Sequence, residues 1–198
     1  MGNTMKFLES ITNQFPELRD SPLVDITDQN KFNTLLSHIN AEYMNYDKVK
    51  RTDLYRLSMM IEDHAQRAYE PLIATFETEH LYKYVEKRYL KILQNIPKTW
   101  VIGGFDNPFF APETPPGKAE ILTCAGTTLQ DMWIVISKHN GGLFGLVAED
   151  IGGVEKGDWF RGFFTSKTEV IQKVIDEMNH LMMTDIDFFN LELKEMSV

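Results

Sequence analysis

The sequence predicts an α+β fold: a roughly four- to six-stranded, largely antiparallel sheet covered by helices, with an N-terminal helical extension. Three observations carry this expectation. Apolar side chains recur at helical spacing before residue 70, again over 78–96, and again after 166. Short β-type runs such as Thr99–Phe105, Met132–Ser137, Leu143–Ala148 and Trp159–Thr165 lie between the helical stretches. Asn140-Gly141 between two of them is a tight-hairpin signal, because such a turn needs positive φ.

Taken in order, the first 25 or so residues read as a partly ordered arm, broken by Pro16 and Pro22. Phe32, Leu35, Leu36, Ile39 and Tyr43 mark a first helix, with Thr27 or Asp28 placed to cap it. Leu54, Leu57, Met60, Ile61, Ala65 and Ala68 mark a second, which Pro71 closes. Leu72–Phe76 then reads as a strand, and Thr78 caps a helix with Tyr82, Val85, Tyr89, Ile92 and Ile96 on one face. Thr99–Phe105 completes a strand–helix–strand unit. Four prolines in 106–118 impose a long loop, and Glu120–Cys124 is a short strand candidate. Ser166 and Glu169 have capping-box spacing for a terminal helix through Val170, Val174, Met178 and Leu181. The acidic, apolar tail from Thr184 is either a docked segment or a partner contact. Hairpin-linked strands with helices at both ends suggest helices on one face of the sheet.

Composition narrows the function classes. The chain has 198 residues, 43% of them hydrophobic and 12% aromatic, with a formal net charge of -9, which excludes wholesale disorder. Residues 1–47 carry 3 basic against 7 acidic side chains, 48–98 carry 10 against 7, and 99–198 carry 7 against 15. Acidic ends around a mildly basic middle disfavour direct nucleic-acid binding. Apolar runs are too short to span a bilayer, and the start lacks a secretory pattern, so a cytoplasmic location without membrane insertion is expected. Cys124 is the only cysteine, which excludes an intramolecular disulfide.

Catalytic motifs are sparse. The run Gly152-Gly153-Val-Glu-Lys-Gly157 fits no phosphate-binding pattern, and its acidic neighbours repel phosphate. The five histidines show no metal-ligand spacing. No nucleophile elbow exists, and Cys124 reads as a small core side chain rather than a covalent tether. Glu62-Asp63-His64 is more informative. Three consecutive polar residues cannot share one helical face, so at least one turns inward or toward a neighbouring element; an acid that does so pairs with Arg88 or a loop backbone, or else faces a ligand. Lys83, Lys87 and Lys91 form a basic stripe at i, i+4, i+8, either a wet face or a dock for an acidic partner. Aromatics at Phe109, Phe110, Trp133, Trp159, Phe160, Phe163 and Phe164 are either core or the wall of an apolar pocket.

Several segments together resemble a known family. They are LSMMIEDHAQ (Leu57–Gln66), IATFETEHLYKYVEKRYLKIL (Ile73–Leu93), WVIGGF (Trp100–Phe105), MWIVISKHNGGLFGLVAED (Met132–Asp150) and FRGFFTSKTEV (Phe160–Val170). Their order and spacing resemble the DICT sensory domain, named for its occurrence with diguanylate cyclases and two-component systems. The match covers roughly residues 50–183. It leaves 1–49 as an arm with a helix and 184–198 as an acidic tail, both too short for an output enzyme. Asp131-Met132-Trp133 departs from the pattern, with Met inserted between the usual acid and the Trp strand.

The resemblance implies a non-enzymatic sensory module, linked to signalling and to light responses, with no established ligand residues to transfer. The expectation is a stand-alone module that signals in trans to a protein partner, with homodimerisation compatible but unsupported by any heptad. A ligand would lie between sheet and helices, with Tyr82, Tyr89 and Trp133 as apolar walls and Glu62, Asp63 or Arg88 as polar contacts. Lys83, Lys87, Lys91, Phe109 and Phe110 are candidate partner contacts. No cofactor is required by the sequence, and a non-covalent chromophore is compatible with it. The alternatives are a ligand-free scaffold, with a solidly packed interior, and an enzyme whose carboxylates and histidines converge only in three dimensions.

Overall fold

Backbone pairing sets the architecture. The computed structural model describes residues 5–27, 33–107, 119–152 and 159–191. Among these, seven strands form one sheet: β1 (Tyr43–Lys50), β2 (Leu72–Thr78), β3 (Thr99–Gly104), β4 (Ala119–Thr123), β5 (Met132–His139), β6 (Gly142–Asp150) and β7 (Trp159–Thr165). Their spatial order is β1-β7-β6-β5-β2-β3-β4. The fold is α+β, with a mixed sheet of more strands than expected. Pairs β2–β3 and β3–β4 are parallel, and the other pairs antiparallel. The β5–β6 hairpin turns through Asn140 (φ 49°) and Gly141 (φ 78°), as the Asn-Gly pair dictates.

Successive strand residues face opposite ways, so the sheet carries two cores. Ala74, Val135, Leu146, Ala148, Phe160 and Phe164 share one core with α4 (Arg51–Ala68) and α5 (Glu79–Gln94). Ile73, Ile134, Ile136, Val147 and Phe163 share the other with α1 (Phe7–Thr12), α2 (Pro16–Arg19) and α6 (Thr168–Met182). Helices therefore cover both faces rather than one. The second cover is assembled from both ends of the chain, which local periodicity does not reveal.

The N-terminal segment is docked structure, not a loose arm. Phe7, Leu8, Ile11 and Leu18 are buried, and Asn45 of β1 donates to the carbonyls of Leu18 and Ser21 at 2.6 and 2.8 Å. The expected helix through Tyr43 is shorter. α3 spans Leu35–Asn40, capped by Thr34, and Glu42 at φ 60° ends the helical path. Pairing with β7 then draws Tyr43–Lys50 into the sheet, overriding the helical spacing. This strand ends at Lys50, so the sheet draws most of it from the segment before residue 50. The expected cap Thr27 has no such role, since α3 starts at Leu35, and Asp28 lies outside the described residues.

Other local expectations divide. Thr78 caps α5 by accepting from the Leu81 N–H. Ser166 does not cap α6; its Oγ donates to the Ile39 carbonyl, and Lys167 stands at the N-cap without a side-chain bond. Tertiary contact with α3 wins over the local box. The tail is docked as far as it is described: Ile186 and Phe188 are buried, with Phe188 against Trp100 at 5.2 Å between ring centroids. Loop residues 108–118, with Phe109 and Phe110, and the Gly-rich residues 153–158 lie outside the described residues. No helix among those described is long and apolar enough to cross a membrane.

Candidate functional site

Two amphipathic helices and two strands build a slot on one face of the sheet. On α4, Arg51, Tyr55, Ser58 and Glu62 stand at i, i+4, i+7, i+11, a single helical stripe. On α5, Leu81, Val85 and Arg88 repeat the same spacing, with Tyr84 and Tyr89 beside them. Ala74, Phe76 and Glu77 from β2, with Trp133 and Val135 from β5, close the floor. The cavity they enclose has a volume of about 450 Å³. Phe76 meets Tyr89 edge-on at 5.0 Å, so the wall is aromatic and stiff.

One end of the slot is an ion pair. Glu62 is 2% exposed, and its two carboxylate oxygens accept from Arg88 Nη1 and the Tyr89 hydroxyl. Burial pushes the Glu62 carboxyl above its ordinary value, against the pull of Arg88 and Tyr89. Burial also raises the Tyr89 hydroxyl well above the usual phenol, which keeps it a donor. The Arg88 guanidinium lies over the rings of Tyr55 and Tyr89 at 5.4 and 5.2 Å. Two donors on slot-lining residues have no hydrogen-bond partner among the described residues: Ser58 Oγ, on a residue 2% exposed, and Arg88 Nε.

The other end holds a second arginine and two carboxyls. The β2–β3 register slips between Phe76 and Thr78, and Glu77 sits at the slip, within reach of the first turn of α4. Its Oε1 accepts from Arg51 Nη2 at 3.1 Å. The Arg51 guanidinium is stacked over Trp133 and Phe160 at 5.5 and 4.9 Å. Burial pushes Glu77 up to about 7 despite Arg51, and the Asp150 carboxyl within hydrogen-bonding reach adds to the rise. Asp150 is itself anchored through Oδ1, which accepts from the Gly152 N–H at 2.9 Å.

Of the residues singled out in the sequence, Glu62, Arg88, Tyr89 and Trp133 line the slot. Tyr82 stands behind the wall, buried against Phe76 and Tyr89 at 5.1 and 6.1 Å. Asp63 faces away, exposed beside His64, Arg67 and His139. Its helical position, one residue past Glu62, carries it about 100° round the axis. Lys83, Lys87 and Lys91 are exposed on α5, with Lys83 paired to Glu86 at 2.8 Å. Cys124 is buried, and burial raises its thiol to about 12. Phe160, Phe163 and Phe164 are core, while Trp159 is 39% exposed. Among the described residues no group of three or more His, Cys, Asp or Glu is arranged to hold a metal ion.

Arg51, Tyr55, Ser58, Glu77 and Asp150 were not expected in the site. A signal did exist for the first three, because they continue the helical stripe that ends at Glu62. Glu77 and Asp150 meet only through sheet pairing.

Fold and site together define an α+β domain with a seven-stranded mixed sheet and an apolar slot beneath two helices. Comparison of the chain with protein-family models and with curated proteins gives no match.

Proposed function

We propose that the chain is a non-enzymatic sensory module, of the kind the DICT resemblance implies, that binds a small ligand or chromophore in this slot and signals in trans to a protein partner. The observation that carries the reading is an aromatic-walled cavity with buried donors that no group among the described residues satisfies. A cavity of this size lies within the usual range of small-molecule sites, about 300–1,000 Å³. A ligand-free scaffold is expected to pack this space solidly. Helix α5 presents slot residues on one face and Lys83, Lys87 and Lys91 on another, so a ligand that shifts α5 alters a charged surface at the same time. A light response rests on the resemblance alone.

The Glu77–Asp150 pair favours a second reading, an enzyme using Glu77 as acid or base near neutral pH.

The test is an absorption spectrum and native mass spectrometry of protein isolated from its own host. Extra mass that is lost on denaturation, with or without a visible band, supports the module. A colourless bare mass that forms a stable complex only with another protein overturns the ligand and favours the scaffold.

A further inference from the structure

Resting on the reading of the slot as a ligand site, we infer that its ligand is a neutral, flat aromatic molecule bearing a carbonyl oxygen, with that oxygen lodged between Ser58 Oγ and Arg88 Nε. Three features of the slot converge on this chemistry.

Shape comes first. Trp133, Phe76, Tyr89 and Tyr55 line the slot with aromatic rings, and Ala74, Val85 and Val135 with short apolar side chains. Such walls favour a planar, π-rich ligand over a flexible chain, because a rigid ring system loses little conformational freedom on entry.

Hydrogen bonding comes second. Ser58 Oγ and Arg88 Nε are buried and lack hydrogen-bond partners among the described residues, and both belong to residues that line the slot. Glu62, one turn after Ser58 on α4, takes Arg88 Nη1 and so leaves the Nε–H to another acceptor. An unpaired buried donor is costly, so a ligand oxygen there gains more than an apolar group of the same size.

Charge comes third. Each guanidinium already has its carboxylate: Arg88 has Glu62, and Arg51 has Glu77. An anionic ligand would bring a second negative charge beside Glu62, with no cation besides Arg51 and Arg88 among the described lining residues to balance it. A cationic one would meet Arg88. A neutral acceptor satisfies both donors without that penalty.

Calorimetric titration of the full chain with three naphthalenes of similar shape tests the inference: 1-acetylnaphthalene, 1-ethylnaphthalene and 1-naphthoate. The expected result is tightest binding of the acetyl compound, about tenfold over the ethyl compound, with naphthoate weaker still. Ser58→Ala shrinks the acetyl preference to about threefold. Equal affinities for acetyl and ethyl, tightest binding of naphthoate, or an unchanged preference in Ser58→Ala overturns the carbonyl assignment but leaves the slot a ligand site. Absence of binding by all three overturns the slot itself.

Discussion

Glu62 on α4 and Arg88 on α5, 26 residues apart in the chain, form an ion pair that ties the two helices together over the sheet. Tyr89 completes the arrangement from the neighbouring position on α5. Because the Glu62 side chain is buried and Arg88 is about a third exposed, removing the acid strands a guanidinium in a partly apolar setting. Glu62→Ala is expected to cost roughly 2–4 kcal/mol in urea unfolding. Glu62→Met with Arg88→Met is expected to recover most of that loss, since an apolar pair leaves no uncompensated charge. Additive losses in the double variant would contradict the coupling.

The carboxyl at the other end of the slot sets a pH dependence. The ordinary carboxyl value is 4.5, and burial raises Glu77 to about 7 in the fold. Between those values the folded chain holds a proton that the unfolded chain has released, so this group's contribution to stability falls as pH rises from about 4.5 to about 7. Glu77→Gln removes the dependence. Relative to the natural chain, the variant should gain roughly 1–3 kcal/mol on going from pH 5 to pH 8. The same stability difference at both pH values would contradict the assignment.

Gly162 lets β6 and β7 approach closely. A Cβ there would lie 2.1 Å from the Val147 carbonyl oxygen and 2.6 Å from Ala148 Cα, both backbone atoms that cannot swing aside. Gly162→Ala is expected to destabilise by roughly 3 kcal/mol or more in thermal unfolding. A loss below about 1 kcal/mol, the scale of an ordinary surface change, would show that the strands separate without cost.

The docked tail also has a measurable share in stability. Phe188 packs on Trp100 in the core shared with α1 and α6. Phe188→Ala should lower stability by roughly 2–4 kcal/mol in denaturant unfolding, the usual range for losing a buried aromatic ring partly compensated by relaxation. An unchanged midpoint would mean that the tail rests on the surface.

The elements with strong local signals were legible from the residues: the Asn140-Gly141 hairpin, the Thr78 cap, and the apolar faces of α4, α5 and α6. What escaped depended on distant pairing. Tyr43 continues a helical stripe in sequence, yet β7 is available to make it a strand. Ser166 and Glu169 have the right spacing for a cap, but the Ile39 carbonyl takes the hydroxyl. In the slot, helical geometry required at least one of Glu62, Asp63 and His64 to turn inward or toward a neighbouring element, and Arg88 was one of the partners it allowed for an acid. Periodicity alone did not separate Glu62 from Asp63, since that depends on where the sheet lies. Glu77 and Asp150 come from different strands, and only the β2–β5–β6 pairing and the slip after Phe76 bring their carboxyls together.

A small molecule in the space between α4, α5 and the sheet is the core of the proposed function. Ala74 lies on its floor, 1% exposed, and Ala74→Phe fills the slot from the strand side. Such overpacking costs roughly 1–3 kcal/mol and leaves the fold measurable. Native mass spectrometry of the natural chain and Ala74→Phe, both produced in the native host, is the most direct test. The expected result is an added small-molecule mass on the natural chain and a bare mass for the variant, with both remaining cooperatively folded. A bare mass for the natural chain, or the same added mass on both, would contradict it.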